Sequence, residues 1–326
     1  MNIPPEFISN IQNTFREDGH AFLKALPDLI AEASTRWGLT DVQPAPTLSY
    51  NFVAFAKRPS TTDFATNATS SAQDVVLKMG VPNREMKSEM ATLRLFNGEG
   101  ACRLLECDEE RYWMLLERLN PGVMLSTLED DDEATHIAAE VMKKIWRPLE
   151  TLESSSLLLN VEQQAVRLQS FIQLSDWFDG LNNLRPMFNG GTGPFNEKLV
   201  ERAESSVKDF FVENHMPVLM HGDFHHFNIL SSERGWLVID PKGVIGPAGY
   251  EVGPLMINPW SDFSDGINIR LRVQRRIDIL HEHLGWERER ILEWSLAHAV
   301  LSAWWGIEDN TGWDFALQFA EILAGF

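Results

Sequence analysis

The first third of the chain switches between patterns typical of helices and of strands. Apolar residues at helical spacing run through Ile8–Trp37, and Pro27 within this run predicts helices broken at that residue. Leu48–Phe55 and Val75–Lys78 are strand-like, and Arg84–Phe96 has the spacing of a helix. Two further apolar runs have the length of strands: Cys102–Glu106 and Tyr112–Glu117. This order predicts an N-terminal helical segment followed by a sheet that one helix interrupts.

Two segments of the chain carry signals for connections. Ser60–Gln73 is rich in Thr, Ser, Ala and Asn, a composition that predicts a mobile connector. Leu119–Gly122 contains an Asn-Pro-Gly turn directly after a predicted strand. We therefore predict two domains, one over residues 1–118 and one over residues 119–326.

The second domain is predicted to be mainly helical. Apolar residues recur every three or four positions from Ile137 to Leu149 and from Leu199 to Phe210. Short apolar runs at 229–230 and 236–239 flank a polar turn and predict a hairpin, and three helical segments follow it. The acidic run Glu129–Glu133 precedes the first helical stripe, where negative charge favours a helix N-terminus.

Composition narrows the class of protein. The chain has 326 residues, with 28 Lys and Arg against 47 Asp and Glu, a net charge of −19. This acidity argues against nucleic-acid or anionic-membrane partners and favours cationic or neutral ligands, or anions that arrive with a metal ion. The N-terminus lacks the pattern of a signal peptide, and Cys102 and Cys107 are too few for a disulfide framework. We expect a cytoplasmic protein with reduced thiols.

The segment from His221 to Asn228 and the Asp that follows it carry the most specific chemistry. Phosphoryl transfer from a nucleotide needs a carboxylate for the acceptor hydroxyl and oxygen ligands for Mg²⁺. Asp223 can be the base, Asn228 lies five residues on, and Asp240 ends the next predicted strand. This order and spacing match the catalytic loop and metal-binding Asp of kinases.

Histidines in the same segment allow two other interpretations. His221, His225 and His226 could form a zinc set, although Gly222 and the aromatic residues do not describe a regular helix and no Glu stands between the histidines. Alternatively, the Asp and His residues only brace a turn, which we expect for His221.

A kinase also needs a strand Lys for the phosphates and a helix Glu that orients it. Lys78 ends the predicted strand, and the following helix offers Glu85 and Glu89. Glu89 is the better candidate because it lies well inside the helix.

Together these segments resemble the aminoglycoside phosphotransferase superfamily, and within it the streptomycin 6-kinase and hydroxyurea-type antibiotic-resistance kinases. The resemblance covers nearly the whole chain and rests on residues 221–230, 235–243, 249–255 and 305–309. The segment Asp240–Gly243, Asp-Pro-Lys-Gly, is the most specific because it replaces the Asp-Phe-Gly of protein kinases. Gly249 stands where the family usually has Ala.

The resemblance implies a fold and a donor site. The fold would be α+β and protein-kinase-like, with two lobes: a small antiparallel-sheet N-lobe and a mainly helical C-lobe. ATP would be the donor, and Lys78 would contact its phosphates, oriented by Glu89. Ser49 and Asn51 would lie in the loop over the phosphates, and the linker containing Glu117 and Leu119 would bind adenine through its backbone.

The same resemblance implies a catalytic and metal site. Asp223 would be the catalytic base, and Asn228 and Asp240 would hold Mg²⁺. Lys242 could add positive charge beside the metal, or it could be a surface lysine in a turn.

The acceptor is expected to be a small-molecule hydroxyl compound, and a cationic acceptor would need carboxylates around it. Glu308 and Asp309 are the leading candidates because they follow an apolar segment within the resemblance. Others are Glu251, Asp262, Asp265 and Asp314. Three functions remain open: a kinase of aminoglycosides or hydroxyurea-type compounds, a metabolic kinase of a sugar or amino alcohol, and a nucleotide-binding pseudokinase. The complete set of Lys, Glu, Asp, Asn and Asp argues against the third.

Overall fold

A computed structural model describes residues 3–59, 72–150, 170–212, 216–259 and 266–326. The chain forms two compact units, one of residues 1–98 and 102–119 and one of residues 99–101 and 120–326. The predicted connector at 60–73 lies outside the described residues as far as Ser71, and Asp262 and Asp265 lie outside them as well. No helix within the described residues is long and apolar enough to cross a bilayer.

The first unit is built on a five-stranded antiparallel sheet. Its strands in chain order are β1 (Thr40–Pro44), β2 (Phe52–Arg58), β3 (Gln73–Met79), β4 (Leu104–Asp108) and β5 (Trp113–Glu117). Their spatial order is β1-β2-β3-β5-β4, which places β3 at the centre. The sequence did not predict β1, and the strand predicted over Leu48–Phe55 begins only at Phe52 and continues to Arg58.

Helix α1 (Pro5–Trp37) corrects the predicted break at Pro27. The helix continues through Pro27, whereas Arg16 has the non-helical angles φ 51° and ψ −121°. Around Pro27 the helix buries Phe22, Leu26 and Ile30 in the core of the first unit. This burial outweighs the hydrogen bond that proline removes.

Helix α2 (Arg84–Phe96) has the bounds that the sequence predicted. The Asn83 side chain caps its first turn by accepting a hydrogen bond from the Met86 backbone N–H at 2.9 Å. Asn97 ends it in the left-handed conformation. The fixed start of α2 sets which residues face the sheet, and Glu89 is among the buried ones.

The second unit contains most of the helices. They are α3 (Asp131–Ile145), α4 (Leu174–Asp179), α5 (Leu184–Met187), α6 (Glu197–Val212), α7 (Val252–Met256), α8 (Gly266–Leu284), α9 (Arg288–Glu308) and α10 (Asp314–Ala324). Helix α3 ends at Ile145, so Leu149 is not part of the predicted stripe on one helix. Within the described residues four helices, α7 to α10, follow the hairpin, where the sequence predicted three helical segments, and α9 is buried along most of its length.

Two small sheets of the second unit are joined by the loop over residues 221–228. The first has the order β11 (Gly235–Val238), β10 (Ile229–Ser232) and β6 (Pro121–Met124). Strands β10 and β11 form the predicted antiparallel hairpin, with Ile229 opposite Val238. The second sheet combines β7 (Arg147–Pro148), β8 (Ile172–Gln173), β9 (Val218–Met220) and β12 (Val244–Gly246). The loop over 221–228 connects β9 with β10.

The acidic run at 129–133 does more than support a helix N-terminus. At the helix N-terminus that the sequence predicted, Asp130 caps α3 by accepting from the Glu133 backbone N–H at 3.1 Å. Asp131, however, binds Arg276 of α8 at 2.5 Å and Arg272 at 2.8 Å. Burial alone would raise the pKa of Asp131, but these two arginines hold it well below its usual range. The ion pairs of Asp131 therefore also attach α3 to α8.

The structure explains why glycine stands at position 249. The side chain of Trp294 occupies the space that a Cβ at Gly249 would need. Trp294 is fully buried and stacks on Phe210, with ring centroids 3.8 Å apart and planes at 12°. The indole therefore takes the volume that the usual alanine would fill.

Replacing Gly249 with Ala is expected to lower the free energy of unfolding by about 1–3 kcal/mol, because the added methyl overpacks the buried indole. Urea denaturation measures this difference. Gly312→Ala is the matched control, since no atom lies within 4 Å of a Cβ there. Equal stability of the two variants would contradict the packing explanation.

Candidate active site

The loop that carries Asp223 is tied to its neighbours through His221. The Asp223 backbone N–H donates to His221 Nδ1 at 3.1 Å, so the other ring nitrogen carries the proton and donates to the Ile239 carbonyl at 2.8 Å. The ring is fully buried, and burial lowers the pKa of His221 to about 4. A neutral His221 therefore braces the loop against the end of the hairpin, in the role that we expected for it.

Glu251 supports the same loop through hydrogen bonds to its backbone. Its two carboxyl oxygens accept hydrogen bonds from the backbone N–H groups of Gly222 at 2.7 Å and His221 at 3.3 Å. Glu251 is fully buried, and this burial raises its pKa to about 8. A side chain enclosed in this way cannot line an open acceptor pocket, which corrects the expectation that placed Glu251 there.

The protonation of Glu251 makes stability depend on pH. Its pKa of about 8 in the folded chain lies above the ordinary value of 4.5, so the folded state binds more protons between these values. Stability from this group is complete below about pH 4.5 and is lost as the pH rises towards 8. Glu251→Gln mimics the protonated form and should remove this dependence.

We expect Glu251→Gln to gain stability relative to the unmodified chain between pH 5.5 and pH 8, by on the order of 1–3 kcal/mol. Thermal unfolding at both pH values measures the gain. Glu201→Gln, an exposed position on α6, is the control and should show no such change. A difference between Glu251→Gln and the unmodified chain that stays constant with pH would exclude this explanation.

Asp223 presents a carboxylate at the surface of this braced loop. Its side chain is 40% exposed, and Oδ1 lies 3.4 Å from His225 Nε2. Burial of the group would by itself raise the pKa of Asp223, but the hydrogen bond and charge of His225 and the charge of Lys242 lower it well below its usual range. Asp223 is therefore ionised at neutral pH and can accept a proton from a neighbouring hydroxyl.

The hairpin brings the two predicted metal ligands to the same end of its strands. The Ile239 backbone N–H donates to the Asn228 carbonyl at 2.9 Å, which continues the register of β10 and β11 by one pair. Asp240 follows directly, with a left-handed backbone φ of 56°. The Asn228 side-chain Nδ2 donates to the Asp223 carbonyl at 3.0 Å, which leaves the amide oxygen to act as a ligand. An amide oxygen with a neighbouring carboxylate suits Mg²⁺.

The alternative zinc set does not fit this geometry. Both ring nitrogens of His221 are used in hydrogen bonds to the backbone. Among the residues that the structure describes, no group of three or more His, Cys, Asp or Glu residues could hold a metal ion.

In the first unit, Lys78 and Glu89 form a buried ion pair. Lys78 Nζ lies 2.6 Å from both carboxylate oxygens of Glu89, and the two residues are only 4% and 3% exposed. Lys78 comes from the central strand β3 and Glu89 from the buried face of α2, whereas Glu85 is exposed. The pair that the sequence suggested is therefore in contact, with Glu89 as the partner.

The other candidates for nucleotide contacts also lie in the first unit. Asn51 directly precedes β2, and its side-chain oxygen fills the space where a Cβ on Gly80 would stand. Ser49 is exposed, and Leu119 is buried. The Glu117 carboxylate accepts from the Arg103 backbone N–H at 3.0 Å, so its side chain fixes the linker.

Of the acceptor candidates, Glu308 and Asp309 lie exposed at the C-terminal end of α9. Partial burial and the neighbouring Asp309 raise the pKa of Glu308. Asp314 is exposed in the first turn of α10. The Lys242 backbone N–H donates to the His221 carbonyl at 2.7 Å, and its charge acts on Asp223.

The family is decided by comparison with known sequences. Residues 58–310 match the family model described as aminoglycoside/hydroxyurea antibiotic resistance kinase. The chain belongs to this family. It is therefore a phosphotransferase that acts on a hydroxyl group of a small molecule.

The sequences of two relatives align with this kinase over its full length. A streptomycin 6-kinase of Streptomyces glaucescens is 30% identical, and the alignment covers 100% of this chain and 98% of the relative. A hydroxyurea phosphotransferase of Kitasatospora aureofaciens is 29% identical, with 100% and 86% covered.

Solved structures confirm the protein-kinase-like α+β fold of the kinase. A choline/ethanolamine kinase family protein from Mesorhizobium loti has a TM-score of 0.58 at 13% identity, covering 90% of this chain and 94% of that one. Aminoglycoside phosphotransferase APH(4)-Ia, in ternary complex with ADP and hygromycin B, has a TM-score of 0.57 at 12% identity, covering 90% and 96%.

Two features of the kinase site were missed by sequence reasoning. His225 was considered only as a zinc ligand or as a brace of the turn, although its position two residues after Asp223 on the same loop was a usable signal. Trp177 packs against the loop from 45 residues earlier in the chain, and no local pattern indicates that contact.

Proposed function

We propose that this kinase transfers the γ-phosphoryl group of ATP, with Mg²⁺, to a hydroxyl of an aminoglycoside such as streptomycin or of a hydroxyurea-type compound. The named relatives, a streptomycin 6-kinase and a hydroxyurea phosphotransferase, support these acceptors. The ADP complex of the related fold supports the nucleotide. The observation that carries the proposal is an ionised, 40% exposed Asp223 on a loop that buried groups hold in place.

In the proposed reaction, the acceptor hydroxyl donates its proton to an Asp223 carboxylate oxygen. The hydroxyl oxygen forms a bond to the γ-phosphorus, the bond from that phosphorus to the bridging oxygen breaks, and ADP leaves with the bonding electron pair. Lys78, which Glu89 holds in place, contributes positive charge to the nucleotide phosphates. Asn228 and Asp240 would hold Mg²⁺, which when bound neutralises negative charge on the phosphates.

Acceptor-dependent formation of ADP tests this function. The assay compares streptomycin, hydroxyurea, a neutral sugar and an amino alcohol, each with ATP and MgCl₂ and again with excess EDTA. ADP formation with streptomycin or hydroxyurea that EDTA stops and Mg²⁺ restores is the expected result. ADP formed only with the sugar or amino alcohol would indicate a metabolic kinase, and no acceptor-dependent ADP would indicate a pseudokinase.

A further inference from the structure

Two tryptophans lie beside the loop that carries the catalytic base. Trp177 of α4 packs directly on Gly222, since its Cη2 atom lies 3.3 Å from the position that a Cβ there would occupy. Gly222 is the residue before Asp223. A larger residue would also meet Val244 here, and Gly222 has a φ of 85°. Trp177 therefore packs against the backbone of this loop one residue before Asp223.

Trp305 of α9 meets Trp177 at a right angle. Their ring centroids are 5.4 Å apart, and their planes cross at 83°. Both residues are half-buried, so neither is fully enclosed. Together they form a corner of two aromatic surfaces, which we call the Trp177/Trp305 corner.

Two buried side chains pack against the indoles of this corner. Tyr250 lies 5.7 Å from Trp177 between ring centroids, and His298 lies 6.4 Å from Trp305. Tyr250 and His298 are buried and joined by a hydrogen bond of 3.1 Å between the phenol oxygen and Nδ1. The two indoles thus pack on a fixed support, and an aromatic site with fixed rings loses little entropy when a ligand binds.

A carboxylate lies one helical turn from Trp305, at the C-terminal end of α9. Glu308 lies three residues after Trp305 on α9, so the two side chains are neighbours on the same helix face. The groups that act on Glu308 are Asp309, Asn183 and Trp304, none of which is positively charged. Its negative charge is therefore not neutralised by these neighbours.

We propose that the Trp177/Trp305 corner and Glu308 bind a planar guanidinium group of the acceptor. An indole face attracts a cation, and a planar, weakly hydrated guanidinium stacks on it better than an ammonium group does. Glu308 supplies the matching carboxylate. This inference rests on the proposed function, and it assigns Trp177 and Trp305 as specificity-determining residues for the acceptor.

The test compares an acceptor that carries guanidinium groups, streptomycin, with a small neutral one, hydroxyurea. Trp305→Phe, which keeps a ring but weakens the cation–π attraction, and Glu308→Gln should each raise KM for streptomycin by roughly 3- to 30-fold. The kcat for streptomycin and both constants for hydroxyurea should stay unchanged. Trp286→Leu is the control, a half-buried tryptophan that stacks on Trp146 instead.

Direct binding separates this inference from the proposed function. If the unmodified protein turns over neither compound, the proposed function fails, and calorimetric titration with streptomycin still decides the inference. Binding that weakens in Trp305→Phe and Glu308→Gln but not in Trp286→Leu supports the corner. Equal KM changes for both acceptors, no effect of these variants, or no streptomycin binding by the unmodified protein would overturn it.

Discussion

Asp223→Asn is expected to lower kcat by roughly 10²- to 10⁴-fold, the range for loss of a general base. The amide cannot accept the hydroxyl proton, yet it has the size of the carboxylate and keeps the loop intact. The backbone bonds that hold the loop, from His221 and Glu251, do not involve the Asp223 side chain. Nucleotide affinity should therefore change little, and steady-state kinetics together with calorimetric titration of ADP measure both effects.

Asp209→Asn is the matched control for this variant. Asp209 is exposed on α6 in the same unit, so its amide should keep full turnover. Turnover by Asp223→Asn at the rate of Asp209→Asn would show that Asp223 is not the base. Loss of ADP binding with loss of turnover would assign Asp223 to the nucleotide instead.

Lys78→Met is expected to affect both stability and turnover. The change leaves Glu89 buried at 3% exposure without its cation, which costs about 3–5 kcal/mol of unfolding free energy. It also removes the positive charge that we propose acts on the nucleotide phosphates, which should lower kcat by about 10²-fold or more. Urea denaturation and kinetics at saturating ATP measure the two effects.

A double variant separates these two roles of Lys78. Lys78→Met with Glu89→Gln removes both charges, so most of the lost stability should return while turnover stays low. Lys57→Met, on the exposed side of β2, is the control and should match the unmodified chain. Recovery of turnover along with stability would show that Lys78 acts only through folding.

The features that could be predicted from the sequence are those fixed by short-range order. Helix α2 begins and ends where its apolar spacing indicated. The Lys78–Glu89 contact follows from an apolar strand that ends in Lys78 and a helix directly after it. The hairpin of β10 and β11 follows from two apolar runs around a polar turn.

The predictions that were wrong concern features that depend on contacts between residues far apart in the chain. Proline normally ends a helix, but the burial of Phe22, Leu26 and Ile30 keeps α1 intact through Pro27. Glu251 was predicted to line the acceptor pocket. Its carboxyl oxygens instead accept hydrogen bonds from backbone N–H groups 29 and 30 residues earlier in the chain. No local pattern distinguishes a buried carboxylate of this kind from an exposed one.

Phosphoryl transfer to a hydroxyl is measured most directly on the acceptor itself. Streptomycin and hydroxyurea are each incubated with ATP, MgCl₂ and enzyme, and mass spectrometry and phosphorus NMR then examine the compounds. We predict that at least one of them gains the mass of a single phosphoryl group as an oxygen-linked phosphate ester, and that Asp223→Asn forms this product far more slowly. Unmodified acceptors after full incubation with the intact enzyme, or a product formed equally fast by Asp223→Asn, would contradict this mechanism.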